Sequence, residues 1–124
     1  MSDLPISRPR GPGTEGCRIL VVDDDADARE SLGLLLELDG YEVAYACNGA
    51  QAICREIEFQ PALVLLDLGL PDIDGEDVAR RMRERGTHAR IVALSGAHAS
   101  SEAALFDARL IKPARVEDLT AHLP

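Results

Sequence analysis

Short apolar runs alternate with longer amphipathic segments along the chain. Three of the runs consist largely of Val, Ile, Leu and Ala and are bounded by charged or turn-forming residues, which is typical of strands buried on both faces. They cover residues 18–22, 62–66 and 90–94. Residues 41–46 predict a half-buried strand, and residues 110–111 predict a short last strand.

The segments between these runs predict helices. Residues 26–38 begin with acidic residues and end at Asp39-Gly40, a common capping signal for a helix C-terminus. A third helix is predicted over about residues 76–85, and a weak short one near residues 101–105. In the second and the last helix, residues at helical spacing predict the apolar face: Ala50, Ile53, Cys54 and Ile57, then Val116, Leu119, Thr120 and Leu123.

The order βαβαβαβαβα predicts an α/β fold. Parallel neighbours need a crossover connection, so this alternation favours a parallel sheet with helices on both faces. The 124 residues suffice for one domain. Residues 1–16 are rich in Pro and Gly without an apolar period, so we expect a flexible tail there and a folded domain over residues 17–124.

The charge balance narrows the classes of partner. The chain carries 22 acidic and 13 basic residues, a net charge of −9, which disfavours binding to nucleic acid or to an anionic membrane. No run approaches the roughly 18 apolar residues of a membrane span. The three cysteines, Cys17, Cys47 and Cys54, form no metal-binding or disulfide pattern, so we expect small buried side chains in a protein of the reducing cytoplasm.

Polar residues follow the predicted strands directly. The first strand leads into Asp23-Asp24-Asp25, the third into Asp67, the fourth into Ser95, and the last into Lys112, which is the only lysine. Ligand sites of parallel sheets lie at the carboxyl ends of the strands, so these side chains should converge. Clustered carboxylates need a counter-charge, and all-oxygen ligands favour Mg²⁺. A carboxylate can also act as a nucleophile toward phosphorus.

Four motifs in this order resemble those of two-component response-regulator receiver domains. They are Val21-Val-Asp-Asp-Asp25, Leu65-Leu-Asp67-Leu-Gly-Leu-Pro71, Ala93-Leu-Ser95-Gly96 and Ile111-Lys-Pro113, and the match runs from about Arg18 to Leu123. The resemblance implies a flavodoxin-like, doubly wound five-stranded parallel sheet with strand order 2-1-3-4-5.

The resemblance also implies a role for each site residue. Asp67 would be the phosphoacceptor, and Lys112 would bind the phosphoryl group. Mg²⁺ would be held by Asp24 and Asp67 directly, by Asp23 through water, and by the backbone carbonyl of Gly69. Ser95 would supply the switch hydroxyl.

A function follows from the same resemblance. The domain would accept a phosphoryl group from a phosphohistidine of a sensor histidine kinase or histidine phosphotransfer protein, and would lose it slowly by self-catalysed hydrolysis. It would not be an enzyme for other substrates. We expect a cytoplasmic monomer or a weak phosphorylation-dependent dimer that binds neither nucleic acid nor membrane directly.

The sequence departs from the family pattern on the output side. Arg109 occupies the position, three residues before Lys112, where the family commonly has an aromatic switch residue. The interval from Ser95 to Lys112 is short, so the fourth helix of the fold should be shortened. An alternative function therefore stays open: a receiver-like interaction module that signals without the aromatic switch or independently of phosphorylation.

Three further interpretations concern the enzyme class, the loop after Asp67 and the end of the chain. An aspartate-nucleophile phosphohydrolase would usually carry a second Asp where this chain has Gly69, which disfavours that enzyme class. Asp72 and Asp74 are interpreted as turn and helix-cap residues. The sequence stops at Pro124 after the last helix, so we expect either a stand-alone receiver or a piece of a larger protein.

Overall fold

Five strands form one parallel sheet in a computed structural model that describes residues 17–96, 105–112 and 115–124. The strand order is β2-β1-β3-β4-β5, which confirms the doubly wound topology. The tail expected over residues 1–16 lies outside the described residues, as do residues 101–104 of the short helix predicted near 101–105. The strands are β1 (Arg18–Val22), β2 (Glu42–Ala46), β3 (Leu63–Asp67), β4 (Arg90–Ser95) and β5 (Ala108–Ile111).

Four helices connect or follow these strands in the described part of the chain: α1 (Ala26–Leu38), α2 (Gly49–Phe59), α3 (Gly75–Glu84) and α4 (Val116–Leu119). The last of them, α4, is the start of the final helix expected from sequence and continues as a 3-10 turn over Thr120–His122. No helix in the described ranges has the length and apolarity needed to cross a membrane.

Alternate residues of each central strand face opposite sides of the sheet, and each side has its own core. Leu20 and Val22 pack on one side together with residues of α2 and α3, including Ala52 and Met82. Ile19 and Val21 pack on the other side, where the core also contains Leu36 of α1 and Leu119 of α4. The expectation of helices on both faces is therefore confirmed, and it explains why successive residues inside these strands are apolar, between the polar residues at the strand ends.

The predicted apolar face of α2 is wrong at three of its four positions; the fourth, Ile53, is partly buried and packs against the core. Ala50 and Cys54 are exposed and Ile57 is 39% exposed, whereas the buried positions are Gly49, Ala52 and Glu56. Small residues lie inward because α2 approaches its neighbours closely: a Cβ on Gly49 would stand 2.8 Å from the Cβ of Ile73. Tertiary packing, rather than the spacing of larger apolar residues, thus decides which face is buried.

The prediction of buried cysteines is wrong in the same region. Cys54 is exposed on α2, and Cys17 and Cys47 are half-buried. None of these three cysteines is part of a disulfide among the described residues, as the absence of a pairing pattern predicted. The strand ends are closer to expectation, since β3 ends at Asp67 itself and β4 at Ser95, one residue later than the apolar runs alone indicated.

Candidate functional site

Three carboxylates meet at the carboxyl edge of the sheet. Val22 of β1 pairs with Leu66 of β3, so Asp23 and Asp67 leave adjacent strands at equivalent positions. One carboxylate oxygen from each of Asp23, Asp24 and Asp67 lies within 4.8 Å of the others. Asp23 and Asp67 are buried, at 4% and 5% exposure, while Asp24 is exposed. The sequence predicted this convergence from the strand ends alone.

Lys112 places its ammonium group against two of these carboxylates. Its Nζ lies 3.3 Å from Oδ2 of Asp67 and 3.4 Å from Oδ2 of Asp23. The backbone holds the lysine there, because Lys112 N–H donates to the carbonyl oxygen of Ser95 across the end of β4 and β5 (2.8 Å). The arrangement sets one cation beside three carboxylates, so negative charge is in excess.

The charges of this cluster shift the ionisation of its members. Burial raises the pKa of Asp23 above its usual value and the nearby Asp67 raises it further, against the opposing effects of the Asp25 N–H and of Lys112. Burial alone would lower the pKa of Lys112, but the carboxylates of Asp67 and Asp23 outweigh it and the pKa is raised. The site therefore holds a firmly protonated lysine and still favours a further cation.

The donor set fits a hard divalent ion. Three carboxylates within reach of one another, with no nitrogen or sulfur ligand in the cluster, are the oxygen ligands that Mg²⁺ prefers. Asp23, Asp24 and Asp67 could hold such an ion. Gly69 lies beside them, since its N–H donates to Oδ1 of Asp67 (3.0 Å).

The Asp23 loop is fixed by its own hydrogen bonds. Oδ1 of Asp23 accepts from the N–H of Asp25 (3.0 Å), and Asp25 in turn caps α1 by accepting from the N–H of Asp27. Arg29, one turn into α1, donates to the carbonyl oxygen of Asp23 (2.9 Å). Sequence reasoning missed Arg29, although its position four residues after the cap places it on the same side of the first turn.

Ser95 ends β4, and Arg109 lies on β5, the strand that pairs with β4. The Ser95 hydroxyl is buried and has no hydrogen-bond partner among the described residues, which is unusual for a buried polar atom. Ser95 follows Leu94, the residue that pairs with Asp67. Arg109 pairs with Ala93 in the middle of β5 and is exposed.

The loop after Asp67 contains two capping aspartates, and one of them caps an unexpected helix. Asp74 caps α3 by accepting from the N–H of Glu76 (3.2 Å), as predicted. Asp72 instead accepts from the N–H groups of Gly49 and Ala50 at the start of α2. Asp72 lies in the bend over residues 71–73, as interpreted, but the helix that it caps begins more than 20 positions earlier in the chain.

The model of the response regulator receiver domain matches residues 19–123 of this chain. The chain belongs to this family. Among curated relatives, the response regulator MprA of Mycobacterium sp. (strain KMS) is 38% identical over 111 residues, which are 86% of this chain and 48% of that protein. MprA of Mycobacterium avium (strain 104) is 37% identical over the same length. The receiver domain thus spans about half the length of these relatives.

Solved structures of receiver domains have the same fold. The receiver domain from Methylobacillus flagellatus has a TM-score of 0.78 and 29% identity, covering 86% of this chain and 95% of that one. Response regulator TrrA of Thermotoga maritima, in complex with Mg²⁺-BeF, has a TM-score of 0.77 and 33% identity, covering 85% and 94%. TrrA has also been solved in complex with histidine kinase ThkA.

Proposed function

We propose that this receiver domain accepts a phosphoryl group on Asp67. The placement of Lys112 carries this assignment: a fixed ammonium group lies 3.3 Å from the Asp67 carboxylate, on the side where Asp23 and Asp24 also gather. Phosphoryl transfer requires charge neutralisation and alignment more than proton transfer. A nucleophilic carboxylate between an ammonium group and an oxygen-lined cation site supplies both.

The transfer step balances within the chemistry of the residues present. A carboxylate oxygen of Asp67 bonds to phosphorus while the P–N bond of a phosphohistidine breaks and the imidazole nitrogen keeps the electron pair. Lys112 stabilises the charge on the phosphoryl oxygens, and the Ser95 hydroxyl, which has no hydrogen-bond partner in the described part of the chain, is the next donor available to them. Water later bonds to phosphorus, inorganic phosphate leaves, and the Asp67 carboxylate is restored.

We also propose that Asp23, Asp24, Asp67 and the carbonyl of Gly69 hold Mg²⁺. The bound ion would neutralise carboxylate and phosphoryl charge, so that two anions can meet. The Mg²⁺-BeF complex of TrrA, whose chain is 33% identical, supports this assignment.

We also propose the class of phosphodonor and the cellular location of the domain. A sensor histidine kinase or a histidine phosphotransfer protein would phosphorylate the domain in the cytoplasm, in line with the kinase complex of TrrA. Residues 17–124 would form the receiver and residues 1–16 a tail. With a net charge of −9 the domain would avoid nucleic acid and anionic membranes, and it would be a monomer or a weak phosphorylation-dependent dimer.

Arg109 bears on how the domain would transmit the signal after phosphorylation. An exposed arginine on β5 cannot insert into an apolar slot as an aromatic ring would, so Arg109 would act as a switch position through polar contacts at the surface. The domain would turn over no substrate other than its phosphodonor.

Labelling with a small phosphodonor tests the proposal. Incubation with acetyl phosphate and Mg²⁺ should phosphorylate the wild type once per chain and leave Asp67→Asn unlabelled. Asp74→Asn is the matched control, because it alters an exposed aspartate of the same loop and should be labelled like the wild type. Equal labelling of the wild type and Asp67→Asn would refute the assignment.

A further inference from the structure

The carboxylate of Asp72 joins two separate parts of the chain. Its Oδ1 accepts from the N–H of Gly49 (2.7 Å) and its Oδ2 from the N–H of Ala50 (3.0 Å), the first two residues of α2. These hydrogen bonds lower the pKa of Asp72, led by the bond from Gly49. Asp72 is thus ionised at neutral pH and binds α2 with both oxygens, a stronger contact than one neutral hydrogen bond.

Packing around these bonds leaves the loop over residues 68–74 little room. A Cβ on Gly49 would stand 2.9 Å from Cγ2 of Val78, on α3, so α2 touches the helix that follows the loop. At the far end, a Cβ on Gly75 would stand 2.6 Å from Cα of Leu68. The loop therefore closes on itself through Gly75 and on α2 through Asp72.

The start of α2 is in turn connected to Asp23. The strand β2 ends at Ala46, three residues before α2, and the carbonyl oxygen of Ala46 accepts from the N–H of Asp23 (3.1 Å). A continuous path runs from Asp67 along its loop to Asp72, across to Gly49, and back through Ala46 to Asp23. Asp72 closes this path, which begins and ends at the two buried carboxylates.

This connection matters because electrostatic repulsion acts to separate the carboxylates of the site. Asp23, Asp24 and Asp67 repel one another at close range. Gly69, whose N–H donates to Oδ1 of Asp67, has no side chain through which packing could fix its backbone. Without the restraint at Asp72, the loop loses one of the contacts that limit the movement of Gly69 and of the carboxylate that its N–H orients.

We propose that Asp72 is a positioning residue of the phosphoacceptor site, which holds the loop over residues 68–74 against α2 so that Gly69 and Asp67 stay aligned with Asp23. This inference rests on the function proposed above. Some residues orient the ligands of a metal ion without contacting the ion, and removing one of them typically weakens metal binding by about 10- to 100-fold. We therefore expect Asp72→Ala to weaken Mg²⁺ binding about tenfold.

The experiment compares Asp72→Ala with Asn48→Ala in the full chain. Asn48 caps the same helix, accepting from the N–H of Gln51 (2.8 Å), but contacts no residue of the loop through that bond. Mg²⁺ titration by calorimetry should give weaker binding for Asp72→Ala and binding within about twofold of the wild type for Asn48→Ala, on the scale of ordinary surface changes. Asp72→Asn, which keeps one acceptor oxygen, should fall between them.

Two further measurements distinguish a positioning role of Asp72 from an effect on the stability of the fold alone. Labelling by acetyl phosphate should slow at low Mg²⁺ in Asp72→Ala and recover at saturating Mg²⁺. In metal-free protein, amide hydrogen exchange at Gly69 should be faster in Asp72→Ala and Asp72→Asn than in Asn48→Ala.

The outcomes distinguish the two proposals. Equal Mg²⁺ affinity and equal exchange at Gly69 in Asp72→Asn and the wild type would overturn the role of Asp72, even if Asp72→Ala failed to fold. A wild type that binds no Mg²⁺ and is not labelled would instead overturn the proposed function. Faster exchange at Gly69 in the metal-free variants would still support the restraint by Asp72.

Discussion

Lys112 is the only lysine in the chain, and its ammonium group serves two carboxylates at once. Arginine carries the same charge, but its planar group is larger and differently shaped, which explains why a chain with twelve arginines and one lysine uses the lysine here. An ammonium that neutralises Asp67 before transfer can then contact a phosphoryl oxygen afterwards. It also competes with any cation for the same carboxylates.

Because of this competition, replacing Lys112 should slow phosphorylation but strengthen Mg²⁺ binding. We expect Lys112→Ala to lower the rate of labelling by acetyl phosphate about 100-fold, the usual cost of losing one donor to a developing negative charge. Mg²⁺ should bind more tightly to this variant, because one positive charge has left the cluster. Calorimetry and labelling at saturating Mg²⁺ measure the two effects, and weaker Mg²⁺ binding would contradict this account of the lysine.

The raised pKa of Asp23 predicts that the metal-free site costs stability. The folded state keeps a proton on Asp23 to a higher pH than the unfolded chain does, so stability falls as pH rises from about 3.8 through the raised pKa. Asp23→Asn removes this loss. We expect urea unfolding in the presence of EDTA to show Asp23→Asn as more stable than the wild type at pH 7, with the difference shrinking toward pH 3.5.

Added Mg²⁺ should reverse that order. The ion stabilises the folded state more when it binds more tightly. Asp23→Asn has lost one carboxylate of the proposed site, so Mg²⁺ should stabilise it less than the wild type. A variant that remains more stable than the wild type at saturating Mg²⁺ would show that Asp23 contributes nothing to the ion site.

At the scale of elements, β5 depends on a clamp from α3. Oδ2 of Asp107, just before β5, accepts from Arg83 (2.9 Å) and from the N–H of Ile91 (2.7 Å). Arg83 also donates to the carbonyl oxygens of Leu105 and Ala89. Among the described strands, this edge strand pairs with β4 alone, and it leads into Lys112, so these contacts help to position the lysine.

We expect Asp107→Ala to lower the free energy of unfolding by about 1–2 kcal/mol at pH 7, less than for a fully buried charged hydrogen bond because the side chain is partly exposed. Burial alone would raise the pKa of Asp107, but the Ile91 N–H and Arg83 lower it overall. Its contribution is therefore present above about pH 3.8 and lost as pH falls through the lowered pKa. Denaturant unfolding at pH 7 and pH 3 measures it, and an equal loss at both values would contradict this sign.

Sequence patterns predicted the strands and their ends better than the contacts between helices. An apolar run that stops at a charged residue marks both a buried strand and the edge of the sheet, so Asp67 and Lys112 could be placed together from local information. The buried face of α2 could not, because Gly49 and Ala52 point inward for reasons of close approach. The partners of Asp72 and Arg83 depend on long-range contacts that no local pattern contains.

At the scale of the whole molecule, an exposed apolar surface lies beside the acidic site. Leu34, Leu35 and Leu38 on α1 are 54%, 51% and 76% exposed. A groove of about 670 Å³ runs along this helix toward α4, and its lining includes Leu35 and Leu38 as well as Asp23 and Lys112. Apolar surface of this kind is typical of interaction sites, so we expect changes to it to affect transfer from the protein phosphodonor proposed above.

The two classes of phosphodonor make this surface testable. Leu38→Glu should slow transfer from a phosphohistidine protein about tenfold, which corresponds to ~1.4 kcal/mol, because it places a charge on the exposed apolar surface of α1. Labelling by acetyl phosphate, which needs no docking surface, should stay within about twofold of the wild type. Ile57→Glu is the matched control, because it places the same charge at an exposed apolar residue of α2, on the other side of the sheet. Equal slowing of transfer by both variants would assign the effect to net charge, and slowing by Leu38→Glu alone would assign it to the surface of α1.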